Sequence, residues 1–302
     1  MKLATYKKES GQFIGIVNAV GTHVLPLREA YEKMGGETTI PAEMLEAISM
    51  GELFYHEAEK ALQWVNENNL DSELFIPLDS VELLAPIPRP SKNIFCVGKN
   101  YAEHAIEMGS KDDIPEHVMV FTKAPTTVIA HDQNIGEHKE LTEQLDYEGE
   151  LAVIIGKKGK AIKREEALGY VFGYTIINDV TARDLQAKHK QFFIGKSLDT
   201  TCPMGPWIVH KSVIANPNNL DIKTSVNGEV RQDSNTENFI FPVEEVIAVL
   251  SQGMTLEPGD IIATGTPAGV GKGFKPPRFL KAGDTVEITV EGIGTLRNKV
   301  ER

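Results

Sequence analysis

Beyond residue 94 the chain repeats one signal: short runs of β-branched and aromatic residues, each closed by Gly, Pro or Asp. Residues 94–97, 119–122, 150–155, 171–178, 207–210, 222–226, 261–263 and 286–290 fit this description and read as strands. Asn227-Gly228, set between Ser225-Val226 and Glu229-Val230, matches a two-residue type I′ turn, which needs two residues that tolerate positive φ. Helical spacing is confined to residues 101–108, 181–189 and 243–251. Many strands with few helices between them do not make the regular alternation of a doubly wound sheet. They predict an α+β fold, a β-rich mixed β-roll.

The first 83 residues read differently. Residues 3–6, 13–17 and 22–25 are short strand signals separated by turns at Glu9-Ser10-Gly11 and Asn18-Ala19-Val20-Gly21. Phe54, Ala58, Ala61, Leu62 and Val65 then recur at helical spacing, and Asn66-Glu67-Asn68-Asn69 ends that helix. Pro86, Pro88 and Pro90 follow at alternate positions, which forces an extended chain. The expected division is a small N-terminal α/β domain, residues 1–83, and a β-roll domain, residues 84–302.

Charge and cysteine usage narrow the function classes. The formal net charge is -12, with lysines scattered among acids, so nucleic acid and anionic membrane surfaces are not expected partners. No apolar run approaches the roughly 20 residues that span a bilayer, and the first residues lack an apolar leader core. A cytoplasmic protein is expected. Cys96 and Cys202 belong to no C-x-x-C pair, which leaves zinc-ribbon and thioredoxin readings without support and predicts two free thiols.

Several motifs could carry chemistry. Asp146-Tyr-Glu-Gly-Glu150 runs into an apolar strand, where side chains two apart share a face, so Glu148 and Glu150 converge. Paired carboxylates need a cation or a proton between them. An isolated E-x-E more often marks a solvated strand edge. Asp179 follows a strand and precedes a helical pattern. It reads as an N-cap, or, if the helix begins there, as one face shared with Arg183 and Gln186. His104 and Glu107 stand three apart on a helix, the spacing for a carboxylate-oriented imidazole, or else a solvated face. Lys196, in apolar company, either snorkels or supplies fixed charge to an oxyanion. The Gly/Thr-rich loop 264–271 lacks Walker spacing. Its N–H groups and hydroxyls could hold a carboxylate, or form only a tight turn.

Leu84-Ala-Pro-Ile-Pro-Arg-Pro90, Cys96-Val-Gly-Lys-Asn-Tyr-Ala-Glu-His104, Asp146-Tyr-Glu-Gly-Glu150, Asn178-Asp-Val-Thr-Ala-Arg-Asp184, Gly195-Lys-Ser-Leu-Asp199 and Thr264-Gly-Thr-Pro267 occur in this order. In them, over residues 84–302, the chain resembles the fumarylacetoacetate hydrolase family. The length of the N-terminal unit and Gln191-Phe-Phe-Ile-Gly-Lys196 are similar to the branch that holds oxaloacetate decarboxylases and acylpyruvate hydrolases. The resemblance implies a homodimer with Mg²⁺ or Mn²⁺ held by Glu148, Glu150 and Asp179. It implies His104 and Glu107 as an acid–base pair on a lid segment, and Lys196 facing the substrate. Arg183, Gln186 and Thr266 would bind substrate oxygens. In the namesake hydrolase a further aspartate ligand precedes the catalytic histidine. Here Ile94-Phe-Cys-Val-Gly-Lys99 contains no acid, which leaves a three-carboxylate site. Such an all-oxygen set suits a hard cation with open positions for a chelating 2-oxo acid.

The activity this implies is metal-dependent C–C cleavage of a small 2-oxo diacid, first of all decarboxylation of oxaloacetate to pyruvate and CO₂. The alternatives are hydrolysis of an acylpyruvate or fumarylpyruvate, and isomerisation of 2-hydroxyhepta-2,4-diene-1,7-dioate or decarboxylation of 5-oxopent-3-ene-1,2,5-tricarboxylate. A different class is a regulatory protein that binds a partner through the same scaffold.

Overall fold

The computed structural model describes residues 1–8, 11–37 and 39–302. The strand Gly149–Ile155 is buried at every position. Leu151, Val153 and Ile155 point to one side, into a core shared with Val286, Ile288 and Val290. Ala152 and Ile154 point to the other, into a core shared with Phe54, Ala58 and Ala61. A strand buried on both faces has no polar alternation, which is why the run 150–155 is apolar throughout.

This strand lies inside a large mixed sheet. Its order is Ile76–Pro77, His23–Pro26, Gly11–Val17, Lys2–Lys8, Cys202–His210, Val171–Asn178, Gly149–Ile155, Ile261–Ala263, Ile94–Gly98 and Met119–Lys123. Most pairs are antiparallel; Ile261–Ala263 and Ile94–Gly98 run parallel. Lys2 and Leu3 pair with Val209 and Ile208, so the N-terminal strands extend this same sheet. The helices Leu27–Lys33, Met44–Met50 and Glu52–Glu67 supply buried side chains to the core on one face. A second sheet covers the other face. It contains Glu229–Asn235, Asp221–Val226, Thr285–Val290, Gly294–Glu301 and Asn134–Gly136. The β-rich α+β architecture matches the expectation.

The Asn227-Gly228 turn has φ of 53° and 77°, the two positive angles a type I′ hairpin requires. The second expected turn is held by Asn18, whose Oδ1 accepts from the N–H groups of Gly21, Thr22 and His23. Of the first expected turn, Glu9 and Ser10 lie outside the described residues. Cys96 and Cys202 are buried free thiols.

Two local expectations are corrected. The helix expected over 181–189 begins at Arg183, because Thr181–Ala182 is extended and pairs with Leu145–Asp146. Asp179 is therefore neither an N-cap nor on that helix. A further helix, Phe193–Lys196, was too short to show a period in the sequence. Gly195 sets its packing: a Cβ there would come within 2.6 Å of Gln186 N and 2.8 Å of Ala182 O.

The register gathers the functional motifs at one end of the sheet. Gly149 pairs with Asn178, and Ala152 with Ala263. The start of one strand, the end of its neighbour and the end of the next thus lie side by side. The parallel strand Ile94–Gly98 ends there too and leads to His104.

His210 closes the opposite seam. Its ring stacks on Tyr55 at 3.8 Å between centroids and meets Phe172 edge-on. Burial, then the charge of Lys211, push the imidazole down to about 4. The unfolded chain takes up this proton near its ordinary value of 6.5, whereas the folded chain resists it until about 4. Folding stability should therefore fall as pH drops through this window. In thermal melts from pH 7 to 4.5, His210→Phe should show a shallower decline than the parent.

Candidate active site

Glu148, Glu150 and Asp179 each place a carboxylate oxygen within 4.8 Å of the others, and all three are buried. Gly149 lets the pair converge, since a Cβ there would overlap Thr224 Oγ1. Asp179 is locked alongside: its N–H donates to the Glu148 carbonyl at 2.8 Å. The pair is not a solvated strand edge.

Cations surround the cluster. Lys196 Nζ lies 2.7 Å from both Glu148 Oε2 and Asp179 Oδ2. Its side chain is 2% exposed, so it does not snorkel. Arg183 Nε donates to Asp146 Oδ2 at 2.8 Å, and its Nη2 stands 2.7 Å from Glu148 Oε1. Arg183 thus pairs with Asp146 and Glu148, and not with Asp179 as the i,i+4 spacing suggested. Lys123 Nζ lies 2.9 Å from Asp179 Oδ1 and donates to the Val180 carbonyl.

Four carboxylates, Asp146 included, face three cations here. The shortfall falls on Glu150, whose one hydrogen bond among the described residues is from the Gly265 N–H at 2.8 Å. Burial, then the charges of Asp179 and Glu148, push its carboxyl well above the usual range. Burial acts the same way on Glu148, but Lys196, Arg183 and His104 outweigh it and hold the group at about 2. Asp179 Oδ1 is also buried without a well-aligned hydrogen bond. A divalent cation supplies the charge and the coordination these oxygens lack, so the residues fit one.

Glu148 and Glu150 form one wall of a cavity of about 410 Å³. His104, Arg183, Gln186, Lys196 and Thr266 line it as well. His104 Nδ1 is 3.4 Å from Glu107 Oε2, and Nε2 has no protein partner among the described residues. Gln186 Oε1 lies 3.4 Å from Arg183 Nη1. The Thr266 hydroxyl donates to the Gly149 carbonyl at 3.0 Å and accepts from Gln232 at 2.7 Å. The fold thus brings all nine expected residues to one site, with Glu107 reaching it through His104.

Two participants escaped the sequence reading. Lys123 ends an ordinary strand signal, and nothing local marks it as buried. Asp146 stood in a motif but carried no role. The loop 264–271 was expected to offer N–H groups to a carboxylate. It does so, but to the protein's own: Glu150, Glu107 and Asp146.

The description "Fumarylacetoacetate (FAA) hydrolase C-terminal" matches residues 93–301. This chain belongs to the fumarylacetoacetate hydrolase family. It is 54% identical over 99% of its length to all of the oxaloacetate tautomerase YisK of Bacillus subtilis. A fumarylacetoacetate hydrolase structure from Exiguobacterium antarcticum superposes with a TM-score of 0.82 at 41% identity, covering 100% of this chain and 99% of that one. A 2-hydroxyhepta-2,4-diene-1,7-dioate isomerase from Mycobacterium marinum gives 0.73 at 31% identity, covering 100% and 98%. The chain is an enzyme of the fumarylacetoacetate hydrolase family. No helix among the described residues is long and apolar enough to cross a membrane.

Glu150→Gln removes the uncompensated charge without changing shape. Metal-free, this variant should melt higher than the parent. Added Mn²⁺ should raise the parent's Tm by several degrees, as expected for about 2–3 kcal/mol at a hundredfold excess over Kd, and leave the variant unmoved. Differential scanning fluorimetry with and without a chelator checks both signs.

Proposed function

We propose that this enzyme interconverts the keto and enol forms of oxaloacetate, using Mg²⁺ or Mn²⁺ held by Glu148, Glu150 and Asp179. The observation that carries this is His104, paired with Glu107, lining the same cavity as Glu148 and Glu150. Enolisation moves one proton off C3 and one onto the C2 oxygen, so it needs a positioned base. Loss of CO₂ needs none. The name of the B. subtilis relative supports the same choice.

His104 takes the C3 proton through Nε2 and, as the imidazolium, returns it to the C2 oxygen, while Glu107 orients the ring and stabilises its charged form. Lys196 provides charge beside the developing oxyanion. Arg183 and Gln186 bind substrate carboxylate, with Thr266 bracing the wall behind. The bound cation would act as a Lewis acid toward the 2-oxo acid.

Decarboxylation of oxaloacetate, which the family resemblance favoured, is the second reading. Breaking the C3–C4 bond leaves the same enolate charge, and the same cations would stabilise it. A purely regulatory scaffold is a poor account of the site, because seven buried charged groups destabilise a fold more than apolar replacements would. The reading includes a homodimer, supported by family resemblance and by apolar Met119 and Val120 exposed on the sheet's edge strand. It also keeps the division at residue 83, supported by a family match that begins at 93.

The test follows the enol absorbance and pyruvate release separately, from oxaloacetate with Mn²⁺. His104→Gln should slow tautomerisation by roughly 10²–10⁴-fold and pyruvate release far less. A parent enzyme that speeds pyruvate release but leaves tautomerisation at its uncatalysed rate would install the second reading. Glu148→Ala should abolish both.

A further inference from the structure

Gly269-Val270-Gly271-Lys272-Gly273 uses its backbone N–H groups on two carboxylates from distant parts of the chain. Gly269 donates to Glu107 at 3.0 Å from Oε1 and 3.1 Å from Oε2. Gly271 and Lys272 donate to Asp146 at 2.7 and 3.0 Å. Asp146 in turn holds Arg183, which stands against Glu148. One loop therefore ties the His104–Glu107 pair to the wall that carries the carboxylate cluster. The loop is itself braced. The Tyr147 hydroxyl donates to the Gly269 carbonyl at 2.8 Å. Phe274 lies against the guanidinium groups of Arg231 and Arg278, at 5.4 and 5.0 Å.

Space explains the glycines. A Cβ on Gly273 would lie 2.5 Å from Glu107 Cγ and closer still to its carboxyl; the three nearest atoms all belong to Glu107. Gly273 does not have a positive φ, so the obstacle to a side chain there is space, and Glu107 is the first group in the way. Gly269 differs. Its φ is +102°, and a Cβ would overlap the Arg231 carbonyl, so substitution would strain the loop itself.

We propose that residues 269–273 are the receptor for the Glu107 carboxylate, docking the helix Ala102–Met108 over the cavity and setting Glu107 against His104. Gly273 is then a positioning residue for the acid–base pair, a role that rests on the reading of His104 and Glu107 given above. The sharp probe is Gly273→Ala, whose added methyl meets the Glu107 side chain first.

Hydrogen–deuterium exchange of amides 102–108, read without substrate, tests the docking alone. Gly273→Ala and Glu107→Ala should each speed exchange by roughly fivefold, the loss of one docking hydrogen bond. The double variant should be no faster than either. Unchanged exchange in Gly273→Ala overturns the receptor. Turnover of oxaloacetate with Mn²⁺ tests the positioning. Gly273→Ala should lower kcat by roughly ten- to a hundredfold, with KM little changed. It should add nothing in a Glu107→Ala background and cost less in Glu107→Asp, whose shorter arm makes room. Multiplying losses in Gly273→Ala/Glu107→Ala overturn action through Glu107. Faster exchange with parental kcat leaves the docking standing and sinks the acid–base reading of Glu107.

Discussion

Glu148, Glu150 and Asp179 are held together, out of water, by a backbone that could not be rearranged without breaking the central sheet. Carboxylates at such separations repel, and each loses several kcal/mol of hydration on burial. Lys123, Arg183 and Lys196 offset most of this, but they leave Glu150 unmatched. The protein therefore tolerates a local electrostatic deficit, and the two apolar cores on either face of the sheet supply the stability that permits it.

That deficit gives the site its chemistry. In the proposed function a cation bound there would complete the coordination and keep room for a substrate that offers two oxygens. The His104–Glu107 pair comes from a different element, the helix Ala102–Met108, and reaches the cluster because the strand Ile94–Gly98 runs parallel to Ile261–Ala263. The glycine loop after Ile261–Ala263 then bonds Glu107 and Asp146, so strand order and loop chemistry together set where the pair meets the carboxylate cluster.

Much of the fold was legible because burial on two faces writes itself as apolar runs, and tight hairpins demand particular residues. Val171–Asn178 and Ile261–Ala263 have the bounds that their β-branched runs suggest. The helix start at Arg183 was not legible. Asp followed by Val-Thr-Ala-Arg fits a cap locally, and only the pairing of Thr181–Ala182 with Leu145–Asp146 overrides it. Phe193–Lys196 spans barely one turn, too short for any period to show.

The sequence alone determined the side chains of the chemistry: two acids two residues apart, an aspartate at a strand's end, a histidine with a glutamate one turn on, and a lysine among apolar neighbours. It also determined that the stretch Ile94-Phe-Cys-Val-Gly-Lys99, ahead of His104, contains no acid. Tertiary structure decided how those groups are partnered. It buried Lys123 against Asp179, turned Arg183 to Asp146 and Glu148, and gave the N–H groups of the glycine loop to the protein's own carboxylates. Local spacing sets which residues share a strand or helix face, but ion pairing depends on contacts between residues tens of positions apart, and those exist only once the sheet has set its register.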